Sequence, residues 1–192
     1  MSPSSTSDGL IGERVVVRDL TMDDVDAMYG YLSDDELFRH ASWGPLTLDE
    51  TTGSVREAMD AARATPRRDY QLAVTFRDTG EVVGQVTLKT DRYIPRVRQR
   101  TSELGYMLRR DCWGRGIATE AARLLLDFAF DAVGLHRVFA VVDEDNPASI
   151  RVVEKLGFRQ EARHVKDAFH EGEWFTTLIY AVLEEEWTGR PS

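Results

Sequence analysis

Between Glu103 and Phe130 the chain changes its hydrophobic period across two glycines, and this change constrains the fold more than any other stretch. Leu104, Tyr106 and Leu108 alternate with Gly105 and Met107, the two-residue period of a strand. Ile117, Ala121, Leu124, Leu125, Phe128 and Ala132 then recur at the spacing of an amphipathic helix. Gly114 and Gly116 stand between the two patterns. A strand that turns through glycines into a helix leaves the first helical N–H groups without partners, with the helix dipole behind them. Such a turn binds phosphate. It is not a P-loop, because no Lys-Ser/Thr follows, and Thr119 occupies the third glycine position of a dinucleotide fingerprint.

The remaining elements follow from caps, turns and periodicity. Arg14–Arg18 reads as a short buried strand, and Thr21 as the N-cap of a helix carrying Val25, Met28, Tyr29 and Leu32. Residues 34–45 are irregular, and Thr47 caps a second helix over 48–64. Tyr70–Phe76 and Glu81–Lys89 form a hairpin around Arg77–Gly80. A basic loop, Arg92–Arg100, leads into the strand at Glu103, and His136–Val142 is a further apolar strand. Asn146 is an N-cap with Pro147 at the first helical position, and Gly157 takes a left-handed C-cap with Phe158 packing back. Gln160–Val165 and Phe175–Leu183 make a final antiparallel pair across Glu171-Gly172.

The run from Trp113 to Ala121, Trp-Gly-Arg-Gly-Ile-Ala-Thr-Glu-Ala, resembles motif A of the GNAT acetyltransferases, whose loop reads Gln/Arg-x-x-Gly-x-Gly/Ala. Gly116 and Ala118 match its last two positions, and Trp113 stands where Gln or Arg is usual. Asn146-x-x-Ser149 with Lys155-Leu-Gly-Phe158 resembles motif B. The resemblance spans Arg14 to Trp187 and is nearest to the RimJ/RimL branch, the N-terminal acetyltransferases of ribosomal proteins and their relatives. It implies an α/β fold: a central, mostly antiparallel mixed sheet flanked by helices, with acetyl-CoA in the cleft between the two central strands. It further implies cofactor contacts from Met107, Leu108, Arg109, Gly114, Arg115, Gly116, Ile117, Ala118, Thr119, Asn146 and Ser149. Among Arg109, Arg110 and Arg115, which one pairs with a phosphate of coenzyme A stays open.

Acetyl transfer to an amine requires a held cofactor, a deprotonated amine and a proton for the departing thiolate. Glu103, in an otherwise apolar strand, is the candidate base, acting directly or through a water; the alternative is a strand-end glutamate in solvent. Ser149 is the candidate acid or thioester-orienting hydroxyl, the alternative being a first-turn serine that bonds backbone. Tyr106 is a substitute acid, although its strand alternation favours core packing. By the resemblance, Phe38, His40 and Trp43 lie on the loop lining the acceptor pocket, with ordinary packing as the alternative for each. Cys112 has no histidine beside it in sequence and reads as a packing residue. His40, His136, His164 and His170 show no metal-ligand spacing, so no metal is expected.

The chain's 192 residues suit a single acetyltransferase domain over 10–188, behind a polar tail at 1–9 expected to be disordered. No apolar run approaches the roughly 20 residues of a membrane span, and the N-terminus lacks the apolar core of a signal peptide. A single cysteine suits a reducing cytoplasm. A net charge of −9 argues against a general nucleic-acid binder. The stretch Lys89–Arg123 is nevertheless +5, leaving −14 elsewhere, a split suited to an anionic cofactor and a cationic acceptor. The sequence thus reads as a cytoplasmic enzyme moving acetyl from acetyl-CoA to a primary amine, on a protein N-terminus or a small molecule, by direct transfer in a ternary complex. No nucleic-acid or membrane partner is expected, and a homodimer stays open. The alternatives are a non-catalytic acyl-CoA-binding module and a transferase of a longer acyl group.

Overall fold

A computed structural model describes residues 6, 8–41, 43–90, 100–170 and 172–187. Residues 92–99 of the expected basic loop, most of the expected tail and Glu171 of the final turn lie outside them. Eight strands form one sheet: β1 (Leu10–Ile11), β2 (Val15–Asp19), β3 (Tyr70–Phe76), β4 (Val82–Thr90), β5 (Thr101–Leu108), β6 (Arg137–Asp143), β7 (Arg159–His170) and β8 (Glu173–Leu183). Their spatial order is β1-β2-β3-β4-β5-β6-β8-β7. Four α-helices cover it: α1 (Val25–Leu32), α2 (Leu48–Arg63), α3 (Ile117–Phe128) and α4 (Pro147–Lys155).

Every neighbouring pair is antiparallel except β5 and β6 at the centre. That parallel pair lasts only from Thr101–Glu103 against Arg137–Phe139, after which the strands part. Each keeps its outer partner: β5 stays paired with β4 up to Leu108, and β6 with β8 up to Asp143. The inner edges therefore present backbone N–H and C=O groups to the gap, where a ligand can bond them.

Strand alternation sorts the side chains onto two faces. Leu104, Leu108, Val138, Ala140 and Val142 pack with Ile117, Ala121, Leu125 and Val153 beneath α3 and α4. On the other face Ala73 and Val82, with Met107 against them, pack under α1 and α2 through Met28, Leu32, Phe38, Val55 and Ala58. On this second face the 3₁₀ turn Met22–Asp24 that leads into α1, and α2 itself, start at built caps. Thr21 N–H and Oγ1 donate to Asp24 Oδ2 at 2.8 and 3.2 Å, while Thr47 and Glu50 form a reciprocal capping box.

The final hairpin is longer than the sequence pattern indicates. It runs over Arg159–His170 and Glu173–Leu183, with register shifts after Gln160 and His164. Past Val165 both faces of β7 are largely exposed, so no apolar alternation marks the extension. It is held instead by polar and aromatic contacts. Asp167 accepts from Thr177 N–H at 3.2 Å and Oγ1 at 2.8 Å, and the rings of Phe169 and Trp174 sit 5.0 Å apart.

Candidate active site

The glycine turn adopts the conformation its sequence requires. Gly114 and Gly116 have φ of 70° and 78°, the left-handed region open to glycine at no steric cost. Gly116 is the residue before α3, and the first ladder bond runs from Glu120 N–H to the Gly116 carbonyl at 3.1 Å. The N–H groups of Ile117, Ala118 and Thr119 precede that ladder, at the positive end of the helix. Two contacts fix the turn from outside. Trp113 Nε1 donates to the Leu108 carbonyl at 2.7 Å, and Arg14 Nη1 donates to the Arg115 carbonyl at 2.8 Å.

A cavity of about 1710 Å³ starts at this turn and follows the gap between β5 and β6. Residues from both faces of the sheet line it, so it passes through the sheet: Tyr106, Ile117 and Ser149 on the α3/α4 side, Glu103, Met107, His40 and Trp43 on the other. Of the expected cofactor contacts, Met107, Leu108, Gly114, Gly116, Ile117, Ala118, Thr119, Asn146 and Ser149 line the cavity. Arg109 and Arg115 are turned elsewhere. Arg109 clasps Asp111 at 2.7 and 2.9 Å and Glu81 at 2.6 Å, and Arg115 lies over the Phe76 ring.

On the α3/α4 side the Asn146 side chain caps α4 by accepting from Ser149 N–H at 3.0 Å, which sets Ser149 in the first helical turn. Tyr106 reaches it from β5, with Oη 2.6 Å from Ser149 Oγ and 3.1 Å from the Ser149 carbonyl oxygen. Burial pushes the Tyr106 hydroxyl up to about 12, only partly offset by the Ser149 bond, so it holds its proton far past neutral pH. The pairing alters the reading of Tyr106 as a packing residue. It packs against the core and also presents a hydroxyl to the cavity. A buried tyrosine hydroxyl needs a partner, and that requirement was the available signal in the sequence.

On the other face Glu103 stands opposite Lys89 on β4 and Phe139 on β6, at the point where the central strands part. His40 and Trp43 come from the connection between α1 and α2. Phe38 is buried, with its ring 4.7 Å from Trp43, and supports the wall without lining it. His40 Nδ1 lies 2.7 Å from Asp143 Oδ2, tying this connection to the end of β6. Asp143 directly follows the apolar strand read over His136–Val142, where it stands next in line as a base after Glu103, but nothing local in the sequence links it to His40.

The turn, the parted strands and the capped helix agree with a match to the family model described as acetyltransferase (GNAT) domain, over residues 14–159. The chain belongs to the GNAT acetyltransferases. GNAT enzymes use acetyl-CoA, and this chain is an acetyl-CoA-dependent transferase. It is 28% identical to the N-acetyltransferase YnaD of Bacillus subtilis over 91% of this chain and 96% of that one. The spermidine N(1)-acetyltransferase of Escherichia coli is 26% identical over 56% of each chain. Among solved GNAT structures, Mycobacterium smegmatis RimJ in complex with CoA-disulfide superposes with a TM-score of 0.76 at 27% identity, covering 90% of this chain and 83% of that one.

Proposed function

We propose that the protein transfers acetyl from acetyl-CoA to a primary amine carried by a cationic acceptor, directly within a ternary complex. The observation that supports this reading is the cavity's passage through the sheet, with a hydroxyl pair on one face and carboxylates on the other. The residues present fit the cofactor: a left-handed glycine cradle and three unladdered N–H groups at the start of α3 for the pyrophosphate, and open strand edges for the amide-bearing arm. When bound, acetyl-CoA supplies the thioester carbonyl as electrophile.

Glu103 draws in the ammonium and takes its proton, directly or through a water, from the α1/α2 side. Ser149, backed by Tyr106, gives a proton to the departing sulfur from the α3/α4 side. Six acids (Glu36, Glu57, Asp69, Glu103, Asp143 and Asp167) line the cavity against four bases (Lys89, Arg137, Arg151 and Lys155), and this net excess of two negative charges favours an acceptor with positive charge. A protein N-terminus, as the RimJ likeness suggests, and a polyamine, as the spermidine N(1)-acetyltransferase likeness suggests, both satisfy it. The buried, lone Cys112 accords with a reducing cytoplasm.

The test is incubation with acetyl-CoA and an amine panel that includes spermidine and N-terminal peptides of ribosomal proteins, followed by mass spectrometry. One amine should gain a single acetyl group with release of free coenzyme A. Acetyl-CoA binding without any product would leave a non-catalytic acyl-CoA module instead.

A further inference from the structure

The two faces of the cavity can be aligned through strand register. Phe139 is the β6 partner of Glu103. Tyr106 lies three residues beyond Glu103 on β5, and Asp143 four residues beyond Phe139 on β6. At about 3.3 Å per residue, both stand roughly 10–13 Å past the point where the strands part. The His40–Asp143 pair is therefore level with the Tyr106–Ser149 pair, on the opposite face, whereas Glu103 sits well below both. The face assignment follows from packing: Val142 belongs to the layer under α3 and α4, so its neighbour Asp143 projects toward α1 and α2, where it meets His40.

The chemistry of that pair is directional. A carboxylate only accepts hydrogen bonds, so with Asp143 as carboxylate the 2.7 Å contact puts a proton on Nδ1, and the neutral form of the ring then carries its lone pair on Nε2. Asp143 is itself fixed, 8% exposed, with Oδ1 accepting from Asp145 N–H at 3.2 Å in the turn that leads to the Asn146 cap. His40 lines the cavity with its side chain 30% exposed, and its Nε2 has no hydrogen-bond partner among the described residues. The same turn therefore sets the heights of Ser149 and of the histidine's anchor.

We propose that His40 is a second proton acceptor, acting at the reacting bond, with Asp143 as its positioning residue. The proposal rests on the acetyl-transfer reading and adds the fate of the second proton. Glu103 removes one proton from the ammonium as it enters. The amine nitrogen bonds the thioester carbon, and the proton it then sheds passes to His40 Nε2, while Asp143 balances the imidazolium. The C–S bond breaks, and the sulfur takes a proton from the Ser149–Tyr106 pair, which recovers it from solvent. One amide, one thiol and one net proton result. The ring can hold Asp143 through Nδ1 while Nε2 faces the cavity, so one side chain is both anchored and able to accept a proton. The charged groups sharing the wall with His40, besides Asp143, are Glu36 on its own connection, Glu57 from α2, Asp69 just before β3, Lys89, Glu103 and Arg137 from the sheet, Arg151 and Lys155 from α4, and Asp167 from β7, where His164 also stands.

The test compares wild type, His40→Gln and Asp143→Asn, using acetyl-CoA and the panel amine turned over fastest. His40→Gln should lower kcat about 10²-fold, abolish the acid limb of the kcat profile and stay impaired at high pH. Asp143→Asn should give a smaller loss with a displaced acid limb. Calorimetric binding of acetyl-CoA to both variants should match wild type, which establishes that they are folded. Nitrogen-15 NMR of the histidine ring reads the tautomer without turnover, and wild type should show Nε2 unprotonated above neutral pH. Wild-type kcat with an intact acid limb in His40→Gln, or a proton on Nε2 in wild type, overturns the assignment while acetyl transfer stands. A wild type that acetylates no amine overturns both.

Discussion

Tyr106 Oη and Ser149 Oγ lie 2.6 Å apart, joining a central strand to the first turn of the capped helix α4 across the cavity. The pair can pass a proton along its length, and the serine end stands at the helix cap that Asn146 builds. Tyr106 keeps its proton because burial pushes it up to about 12.

The two hydroxyls should therefore behave as one unit. Tyr106→Phe and Ser149→Ala should each lower kcat about 10²-fold, at the lower end for acid–base catalysis, with little change in acetyl-CoA affinity. The double variant should cost no more than the worse single one, as for groups acting together. Additive losses in steady-state kinetics would show two separate roles. With the tyrosine held so high, its deprotonation should add no basic limb between about pH 8 and 10.

Gly116 is a second decisive position. Its φ of 78° is costly for a branched side chain, and an added Cβ would come within 3.4 Å of Arg14 Nη2, next to the N–H groups the cofactor would use. Gly116→Val should remove measurable acetyl-CoA binding in calorimetry and leave the far-UV CD spectrum native. An affinity equal to wild type would disprove the phosphate-loop assignment.

Local signals and non-local geometry were unequally legible in the sequence. The periodicity switch at Gly114–Gly116, the caps at Thr47 and Asn146 and the left-handed Gly157 are local, and α2, β3, β4 and β6 stand within a residue of their expected bounds. The placement of Met107, Gly116 and Ser149 along one cavity followed from those elements once the order of strands was right. Arg109 shows the limit: its charge suited a phosphate, but Asp111, two residues on, and Glu81, across the sheet, claim the guanidinium. Asp143 and His40 are separated by 103 positions in the chain, and only tertiary structure brings them together. The hairpin past Val165 left no apolar pattern because solvent bathes both its faces.

Glu120 braces the glycine turn against the first long strand. Its Oε1 accepts from Arg14 N–H at 2.7 Å and Val15 N–H at 3.3 Å, and its Oε2 takes the Arg14 guanidinium at 2.7 Å. Burial would push this carboxyl up, but the Arg14 and Val15 bonds outweigh it and hold it below the usual glutamate range. A depressed carboxyl stabilises the fold above its unfolded pKa, near ~4.3, and that stability is lost as pH falls through the lower folded value. Glu120→Gln should cost about 1.5–3 kcal/mol in urea unfolding at pH 7, the range for hydrogen bonds to a charged group. The gap from wild type should narrow on acidification. A gap that stays constant down to about pH 3 would show that the charge contributes nothing.

Glu103 stands where the central strands part, opposite Lys89, and its removal should read differently from that of the hydroxyl pair. Glu103→Gln keeps shape and hydrogen-bonding capacity but takes away the charge that draws in an ammonium and the site that accepts its proton. Acid–base catalysis of this kind contributes ~10²–10⁴-fold, so kcat/KM should fall within that range at neutral pH while acetyl-CoA affinity holds. The loss should shrink as pH rises, because more of the amine arrives neutral: a lysine-type amine titrates near ~10.4 and an α-amine near ~7.7–8.0. Rescue should therefore come at lower pH for an N-terminal acceptor than for a polyamine, and the pH of half-rescue reports the acceptor class. Ser149→Ala should show no such rescue, since hydroxide does not replace a proton donor at sulfur. If Glu103→Gln turns over like wild type at neutral pH with the true acceptor, the ammonium's proton leaves by another route. If Glu103→Gln and Ser149→Ala share one pH profile, the division of labour between the two faces of the sheet is wrong even where both residues matter.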